Sequence, residues 1–282
     1  MRIAIIGAGG QLATALEQAL TGDLVLLSHD EIELVDLGQV TSVLESARCD
    51  LVINTAAYNL VDKAEDEPDR AFAVNALGPR HLALVCERLG STLLHVSTDY
   101  VFGLDAGRHA PYSETDVPGP LSAYAVSKLA GEQFVQSLCR RHYIVRTCGL
   151  YGPARRAGKR NFVDTMRRLG NERSELRVVA DQRCTPTSAL DVAHAIAALC
   201  ETGRYGLYHA TNTGDASWHQ FATEIFRLLN LPVTVVPISS AEFSAKARRP
   251  AYSVLDTSKL ASQGIPLRPW PEALADYLSS SD

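Results

Sequence analysis

The 282-residue sequence lacks the features that mark membrane, secreted and metal-dependent proteins. No stretch approaches the roughly 20 apolar residues that a membrane-spanning helix needs. Met1 leads directly into the apolar residues 3–6 without the basic region and cleavage site of a signal peptide, so we expect a buried strand there. The six cysteines include no Cys-x-x-Cys pair, and the eight histidines show no metal-binding spacing. We therefore expect a cytoplasmic protein that has no membrane partner and no metal.

Positive charge is also scarce. The chain has 27 basic and 32 acidic residues, and its net charge of −5 argues against nucleic acid or an anionic membrane as the main partner. The remaining composition, 46% hydrophobic and 21% charged residues, is that of an ordinary globular protein. The length is enough for a large core, arranged as one elaborated domain or two.

Short apolar runs alternate with helical patterns in the first half of the chain. The runs lie near residues 2–7, 24–27, 51–54, 93–97 and 143–146, and the helical patterns lie near 12–20, 40–47 and 71–89. This alternation predicts parallel strands joined by right-handed helical crossovers, which is the α/β class with a doubly wound parallel sheet of the Rossmann type. Runs that are apolar throughout are typical of strands covered on both faces.

The second half of the chain is less regular. Strands are predicted near 176–180 and 207–210, helices near 162–169, 189–199, 219–229 and 271–278, and an exposed loop over the basic residues 155–160. We interpret this half as a smaller, mainly C-terminal α/β domain that binds substrate beside a dinucleotide-binding domain. The predicted boundaries are 1–150 for the dinucleotide-binding domain, with return segments roughly at 174–212, and 151–173 together with 213–282 for the substrate-binding domain.

A glycine-rich turn follows the first predicted strand. Gly7 and Gly10 allow backbone amides to approach a pyrophosphate, and the helix that begins near Gly10 adds N–H donors and partial positive charge. The spacing departs from Gly-x-Gly-x-x-Gly, since Ala13 stands where a third glycine is expected. A glycine turn without a ligand therefore stays open as an alternative.

The end of the second predicted strand bears on the choice of cofactor. An acidic side chain at this tip favours the free 2′-hydroxyl of NAD, and its absence tolerates the phosphate of NADP. Ser28 lies nearest the tip and Asp30 slightly beyond it. We expect NADPH as the cofactor, with NADH possible.

Tyr124 and Lys128 are separated by one helical turn and so share a helix face. Alone, this spacing is most often two surface residues, but here it follows the glycine turn and Thr98 at another strand end. A nearby ammonium lowers the pKa of a phenol, so Lys128 is expected to make Tyr124 a proton donor to a developing alkoxide, with Thr98 bonding the same oxygen. We expect this helix to bury an apolar face made of Val126, Leu129, Ala130, Phe134 and Leu138.

In this order the motifs resemble the extended short-chain dehydrogenase/reductases and, within them, the dTDP-4-dehydrorhamnose reductase family. The resemblance covers nearly the whole chain. It rests on Gly7, Gly10-Gln11-Leu12, Asn54-Thr55-Ala56-Ala57-Tyr58, Val61-Asp62-Lys63-Ala64-Glu65, Ser97-Thr98-Asp99-Tyr100-Val101-Phe102, Tyr124 with Lys128-Leu129-Ala130-Gly131-Glu132, Arg146-Thr147, Tyr151-Gly152, Asn161-Phe162, Asp181-Gln182 with Pro186-Thr187, and Arg249-Pro250 before Ser253.

The resemblance implies a role for each matching residue. Tyr124 is expected to donate the proton, with Lys128 as its electrostatic partner and Thr98 as the carbonyl-binding hydroxyl. The cofactor is expected to contact Gly7, Gly10, Gln11, Leu12, Ser28, Asp36, Leu37, Ala56, Ala57, Tyr58, Asn75, Tyr124 and Lys128. The substrate is expected to contact Val61, Thr98, Asp99, Tyr100, Asn161, Gln182 and Arg249, the last suited to a diphosphate. Capping remains an alternative for Asn75 and Gln182, as does a solvated surface charge for Arg249.

The sequence departs from the family pattern at three places. Cys148-Gly149 stands where the family has Ser-Trp, so no indole is available there to stack on a hexose. Cys184 stands at a glycine position. Ala15 replaces a glutamate that holds a metal at a dimer contact in some members, so we expect no such metal. These departures leave the reductase chemistry intact and bear on the identity of the sugar.

The resemblance implies NAD(P)H-dependent reduction of the 4-keto group of a nucleotide-activated 6-deoxyhexose, with dTDP-4-dehydro-L-rhamnose as the simplest substrate. A nucleotide-sugar epimerase, which shares the fold and the Tyr/Lys pair, is one alternative. A non-catalytic regulatory NAD(P)-binding protein is the other. The expected assembly is a monomer or a homodimer.

Overall fold

A parallel sheet of six strands organises the molecule, which a computed structural model describes over residues 1–154 and 161–280. The loop predicted at 155–160 lies outside the described residues. In chain order the strands are β1 (Arg2–Ile6), β2 (Asp23–Leu27), β3 (Leu51–Asn54), β4 (Thr92–Thr98), β5 (His142–Thr147), β6 (Leu150–Tyr151), β7 (Glu175–Val179), β8 (Arg183–Cys184), β9 (Thr187–Ser188), β10 (Gly206–His209), β11 (Ala216–Ser217) and β12 (Thr234–Ile238).

The order of strands in the main sheet is β10-β5-β4-β3-β1-β2, and every neighbouring pair is parallel. The chain runs outward from β1 in both directions, so the order reverses between β1 and β3. In doubly wound sheets this reversal opens a crevice at the carboxyl ends of the strands. The predicted fold class is therefore confirmed, while the predicted domain boundaries stay a prediction.

The helices cover both faces of the sheet and fill the remaining part of the chain. They are α1 (Gln11–Ala19), α2 (Leu37–Ala47), α3 (Pro68–Phe72), α4 (Gly78–Leu89), α5 (Ala123–Leu138), α6 (Phe162–Glu172), α7 (Ala189–Thr202), α8 (Trp218–Leu228), α9 (Ser240–Phe243), α10 (Ser258–Ala261) and α11 (Trp270–Ser279). Short 3₁₀ turns occupy Lys63–Glu65 and Asp99–Val101. No helix of the described ranges is long and apolar enough to cross a membrane.

Alternating side chains of β1 enter two different cores. Ile3 and Ile5 pack on one face with α1 and α7, while Ala4 and Ile6 pack on the other with α2 and α4. This explains why the short strands are apolar throughout, as the sequence predicted. A third core lies outside the main sheet. It contains Tyr151 with residues of α6, α8 and α11. The strands β7 and β12, which pair with each other, contribute to this core.

The region predicted as one helical pattern over 71–89 is divided into three segments. A π-helical turn, Ala73–Leu77, separates α3 from α4. Such turns insert one residue into a helix and are frequent at functional sites. The strand β12 has no counterpart in the sequence prediction, because its half-exposed residues include Pro237 and show no clear alternation.

Helix α5 buries only part of the face predicted. Val126 is 41% exposed, so the prediction was wrong for this residue, whereas Leu129 and Leu138 pack half-buried against core residues. Lys128 and Glu132, which the prediction left out of the interior, are among the buried residues of the helix. The partners of these two polar residues come from other elements of the chain, β4 and β5.

Gly131 of α5 allows this helix to lie directly against the π-helical turn. A Cβ atom at Gly131 would be only 2.2 Å from the carbonyl oxygen of Asn75 and 3.3 Å from the Pro79 ring. The contact with backbone cannot be relieved by rotating a side chain. The distance between α5 and the π-helical turn therefore requires glycine at this position.

We expect Gly131→Ala to lower the free energy of unfolding by about 1–3 kcal/mol, because the added methyl group forces α5 away from the π-helical turn. Urea unfolding followed by circular dichroism measures this change. Gln136→Ala, on the exposed side of the same helix, is the matched control and should shift the stability by less than about 0.5 kcal/mol. Equal stabilities of the Gly131 variant and the wild type would contradict the close-packing argument.

Candidate active site

The glycine turn after β1 lies against the loop that follows β3. Gly7 has φ +91°, and a Cβ atom there would be 2.8 Å from Thr55 Oγ1 and 2.9 Å from the backbone nitrogen of Ala56. Gly10 caps α1 without a side chain that accepts the first amide hydrogens, and the buried Oε1 of Gln11 has no hydrogen-bond partner within the described chain. The open cradle, the free helix N-terminus and the unpaired amide oxygen fit a pyrophosphate-bearing ligand.

The tip of β2 carries an acidic side chain that the sequence analysis missed. The backbone N–H of Ser28 donates to Glu31 Oε2 at 2.7 Å, and the Ser28 hydroxyl donates to the same carboxylate. These hydrogen bonds from Ser28 lower the pKa of Glu31. From the sequence only Ser28 and Asp30 were expected near the tip, because Glu31 reaches it by folding back after the strand has ended.

Asp36 holds the start of α2. Its Oδ1 accepts from the backbone N–H groups of Gly38 at 2.8 Å and Gln39 at 3.1 Å, which is an N-cap. The neighbouring Leu37 is 40% exposed. Asp36 and Leu37 were both expected to contact the cofactor, and Leu37 is the one whose side chain is available, since the carboxylate of Asp36 is engaged by the cap.

Asn75 joins three parts of the site and lies on the π-helical turn. Its Oδ1 accepts from the backbone N–H of Tyr58 at 2.8 Å, and its Nδ2 donates to the Tyr58 carbonyl oxygen and to Ser127 Oγ, both at 3.0 Å. Ser127 lies between Tyr124 and Lys128 on α5. The amide of Asn75 therefore connects the loop after β3 with the helix that carries Tyr124. This structural role accounts for an asparagine at this position without a helix cap or a direct ligand contact.

Tyr124 lies in the first turn of α5, close to the carboxyl end of β4. This turn is fixed by Ser122, which caps it, and by Glu65 Oε1, which accepts from the Ala123 N–H at 2.8 Å. The Tyr124 hydroxyl interacts with Thr98. The Tyr100 ring packs edge-on at 6.1 Å between ring centroids. The structure thus brings together Thr98, Tyr100 and Tyr124, three of the residues predicted at the site.

The ionisation of the pair differs from the prediction. Burial raises the pKa of Tyr124 to about 12, against a smaller lowering by the Thr98 hydrogen bond. Burial also lowers the pKa of Lys128 to about 8. The expected lowering of the phenol pKa was wrong for this structure, because the Lys128 ammonium donates to the Val96 carbonyl oxygen at 2.7 Å and desolvation dominates at the phenol.

Asp99 lies beneath Thr98 and is buried. Its carboxylate accepts from Ser253 Oγ at 2.5 Å, from Cys148 Sγ at 3.0 Å and from Thr98 Oγ1 at 3.1 Å. Burial raises its pKa in spite of these hydrogen bonds. The oxygens of Asp99 are thus engaged by three protein side chains, and its expected contact with substrate stays a prediction.

The backbone conformation at Gly149 favours glycine over the tryptophan that the family has at this position. Gly149 has φ +52°, and a Cβ atom there would be 3.1 Å from the Thr185 carbonyl oxygen. A tryptophan in this conformation is strained. The segment after β5 and the segment around Thr185 therefore approach each other more closely than a bulky side chain allows.

Arg249 is paired rather than exposed. Its Nη1 and Nη2 donate to the two carboxylate oxygens of Asp62 at 3.0 and 2.7 Å, and its side chain is only 17% exposed. The Ala247 N–H donates to the same carboxylate at 3.0 Å. The Arg249 hydrogen bond holds the pKa of Asp62 below its ordinary value. Asp62 follows Val61, and Arg249 also contacts Tyr100, so these predicted substrate contacts lie at one edge of the site.

Asn161 and Gln182 make structural contacts. Asn161 caps α6 in a capping box with Asp164, and its Nδ2 donates to the Gly152 carbonyl oxygen at 3.1 Å. Gln182 Nε2 donates to Ser240 Oγ at 2.8 Å. Both side chains are more than nine-tenths buried, and contact of either with a substrate stays a prediction.

Ala57 lies between Ala56 and Tyr58 in the loop after β3, and Leu12 is buried in the first turn of α1. The predicted cofactor residues of the first 60 positions thus follow the ends of β1, β2 and β3. In the ranges 1–154 and 161–280, no cluster of three or more His, Cys, Asp or Glu side chains has the geometry to hold a metal ion.

Comparison with known proteins extends over the whole chain. A family model described as "RmlD substrate binding domain" matches residues 1–282. A dTDP-4-dehydrorhamnose reductase of Streptomyces griseus is 42% identical, with 96% of this chain and 91% of that protein covered. A protein of Streptomyces antibioticus described as "Probable dTDP-4,6-dihydroxy-2-methyloxan-3-one 4-ketoreductase" is 40% identical, with 98% and 94% covered.

Solved structures give the same picture. The dTDP-4-dehydrorhamnose reductase of Bacillus anthracis, solved in complex with NADP, superposes with a TM-score of 0.94 at 41% identity, with 99% of each chain covered. The UDP-glucose 4-epimerase of Thermus thermophilus, solved with NAD, superposes with a TM-score of 0.81 at 21% identity, covering 99% of this chain and 98% of that one. The likeness to the epimerase extends to the fold alone.

We expect Asn75→Ala to lower the free energy of unfolding by about 2 kcal/mol or more, since it leaves the Tyr58 N–H and carbonyl oxygen without partners in a buried position. Thermal and urea unfolding measure the change. The control Asn171→Ala removes an exposed amide on α6 that donates to the Arg167 carbonyl oxygen, and it should be nearly neutral. A neutral Asn75 variant would mean that the amide does not hold the loop to α5.

Proposed function

Since the chain belongs to the dTDP-4-dehydrorhamnose reductase family, described as the RmlD substrate binding domain, we propose that it reduces the 4-keto group of a dTDP-activated 6-deoxyhexose with NADPH. The simplest substrate is dTDP-4-dehydro-L-rhamnose, which gives dTDP-L-rhamnose for cell-surface polysaccharides. The observation that carries the proposal is the meeting of Thr98 with Tyr124, one turn from Lys128, at the carboxyl end of β4.

The proton is supplied by the protein. NADPH, when bound, supplies the hydride to the carbonyl carbon. The Tyr124 hydroxyl then donates its proton to the carbonyl oxygen. The Thr98 hydroxyl, whose hydrogen points to Asp99 Oδ1 in the structure, rotates to donate a hydrogen bond to the same oxygen. Because burial keeps the pKa of Tyr124 at about 12, the phenol is fully protonated near neutral pH and available as an acid. Lys128 lies one helical turn from Tyr124 with its ammonium on the Val96 carbonyl oxygen, and we infer that its positive charge favours the phenolate once the proton has left.

The cradle between β1 and β3 fits the cofactor. The amides around Gly7, Gly10, Gln11 and Leu12 would hold the pyrophosphate, while Ala56, Ala57 and Tyr58 would line the cleft, with Asn75 holding Tyr58 in place. The NADP complex of the Bacillus anthracis relative supports NADPH. Glu31 at the tip of β2 repels a 2′-phosphate, so NADH is an acceptable second cofactor.

Membership of the family does not determine which keto sugar is the substrate. The Streptomyces antibioticus relative is described by a different keto sugar, and it is about as similar to this chain as the rhamnose-forming relatives. Gly149, with its left-handed backbone, leaves no side chain at a position where the family has tryptophan. A second candidate is therefore reduction of another dTDP-4-keto-deoxysugar by the same residues.

The remaining proposals concern where the protein acts and in what assembly. We propose a cytoplasmic enzyme that works as a monomer or a homodimer, with neither nucleic acid nor membrane as a partner. The acidic net charge supports this, because a protein charged −5 is not attracted to phosphate polymers.

Turnover of purified protein with a panel of dTDP-4-keto sugars, followed by nicotinamide absorbance with NADPH and with NADH, tests the function. We expect NADPH oxidation matched by formation of the 4-hydroxy sugar. An epimerase would instead retain NAD through purification and convert a 4-hydroxy sugar without net oxidation. Absence of turnover with every dTDP-keto sugar would overturn the proposal and favour a regulatory NAD(P)-binding protein.

We expect Tyr124→Phe to lower kcat about 100-fold or more, because the variant keeps the ring and loses the proton. KM for the sugar and the dissociation constant of NADPH should change little. Tyr205→Phe, at the amino end of β10 and away from the site, is the matched control and should retain full activity. A Tyr124→Phe enzyme with wild-type kcat would exclude the tyrosine as proton donor.

We expect Glu31→Gln to lower KM for NADPH about threefold at low salt and to leave KM for NADH unchanged, since it removes a negative charge near the 2′ position. The difference should shrink as ionic strength rises. Glu201→Gln, exposed at the end of α7, is the control for a general change of charge. If both cofactors respond equally, Glu31 does not face the ribose.

A further inference from the structure

A buried ion pair lies behind the Tyr124–Lys128 helix face. Arg146 of β5 donates to Glu132 of α5 through Nη2 at 2.6 Å and through Nε at 2.9 Å, and both side chains are at most 3% exposed. Ser97 at the end of β4 donates to the same carboxylate at 2.5 Å. Three hydrogen bonds thus fix the position of Glu132. Burying two charges costs desolvation free energy, so a buried ion pair is weak evidence for a stabilising role. A second role for this pair therefore needs to be considered.

Glu132 follows Lys128 by one helical turn, just as Lys128 follows Tyr124. Residues at this spacing share a helix face, and Lys128 and Glu132 are both buried. The face therefore presents a phenol, an ammonium and a carboxylate in order, from the site toward the interior. The ammonium donates to the Val96 carbonyl oxygen on β4, the strand that also carries Ser97.

We propose that Glu132 is a positioning residue for the reaction: one helical turn from Lys128 on the same buried helix face, it keeps the ammonium charged where this donates to β4, while Arg146 and Ser97 hold Glu132 in place. Glu132 does not touch the reacting atoms and acts only through Lys128. The proposal deepens the reductase function and rests on it for its kinetic readout, although Lys128 itself is observable without turnover.

The charged and titratable groups around Lys128 favour this role for Glu132. Burial lowers the pKa of Lys128 toward neutrality, and among the described residues only Glu132 is found to oppose that change. His95 of β4 also faces Lys128, but burial keeps its pKa well below the ordinary value, so it is neutral. Asp99 and Tyr100 face the Tyr124 end of the helix, and Arg146 stands beyond Glu132.

A purely structural ion pair makes a different prediction from a positioning residue. Glu132→Gln alone leaves Arg146 buried without a counter-charge and tests stability as much as function. The double variant Glu132→Gln/Arg146→Met removes both charges and keeps similar side-chain volumes. If the pair is only structural, the double variant recovers the wild-type pH profile once it folds.

The decisive measurement is the pH dependence of kcat/KM in the double variant. Glu132 acts on the pKa of Lys128 and Arg146 stands beyond it, so losing the carboxylate lowers this pKa by more than losing the guanidinium raises it. The ammonium is then lost at lower pH, and the alkaline limb of the profile should move down by about one pH unit. At a pH on the alkaline limb of the wild-type profile, kcat of the double variant should be about tenfold below that of the wild type, with little change in KM. Asp191→Asn/Arg268→Met removes a partly buried pair remote from the site and should leave the profile unchanged.

The titration of Lys128 provides the second readout. The chain has five lysines, so selective isotope labelling with Lys128→Met for assignment resolves the Lys128 side chain by NMR. A wild-type Lys128 titration in a folded double variant would overturn the inference, whether or not the wild type reduces a keto sugar. Lack of turnover by the wild type would overturn the proposed function alone. A shifted titration together with a shifted alkaline limb supports both.

Discussion

The amide of Asn75 is the contact on which the geometry of the site depends. It bonds both backbone groups of Tyr58 and the hydroxyl of Ser127, and so connects the loop after β3 with α5. The π-helical turn places Asn75 where these groups meet, and the missing side chain of Gly131 lets α5 approach closely enough. Cofactor-side and proton-donating residues therefore keep their relative positions because one buried side chain is fully hydrogen-bonded.

Burial acts on the reactive residues in opposite directions. It favours the neutral form of every group, so the pKa of Tyr124 rises while that of Lys128 falls. An acid that must hold its proton until an alkoxide forms benefits from the first effect. An ammonium that must remain charged is harmed by the second and needs a carboxylate nearby. The same desolvated environment thus favours the proposed role of Tyr124 as acid and the proposed role of Glu132 beside Lys128.

Much of the fold and part of the site follow from local sequence patterns. Apolar runs predict β1 to β5 to within a residue or two, and the spacing of Tyr124 and Lys128 predicts a shared helix face. The patterns do not predict contacts between distant segments. Asp99 meets Ser253 154 residues away, and Asp62 meets Arg249 187 residues away. Glu132 was missed for the same reason, since its partner Arg146 lies on another strand.

The pairing of Arg249 with Asp62 sets a condition for any anion that is to bind this guanidinium. Arg249 already has a bidentate carboxylate partner, so binding of an anion there would exchange one anion for another. A singly charged ligand would gain little from such an exchange, because it would only replace an equal charge. A diphosphate would bring more charge than it displaces. Asp62 would thereby compete with a ligand for Arg249, and the competition would favour ligands of higher charge.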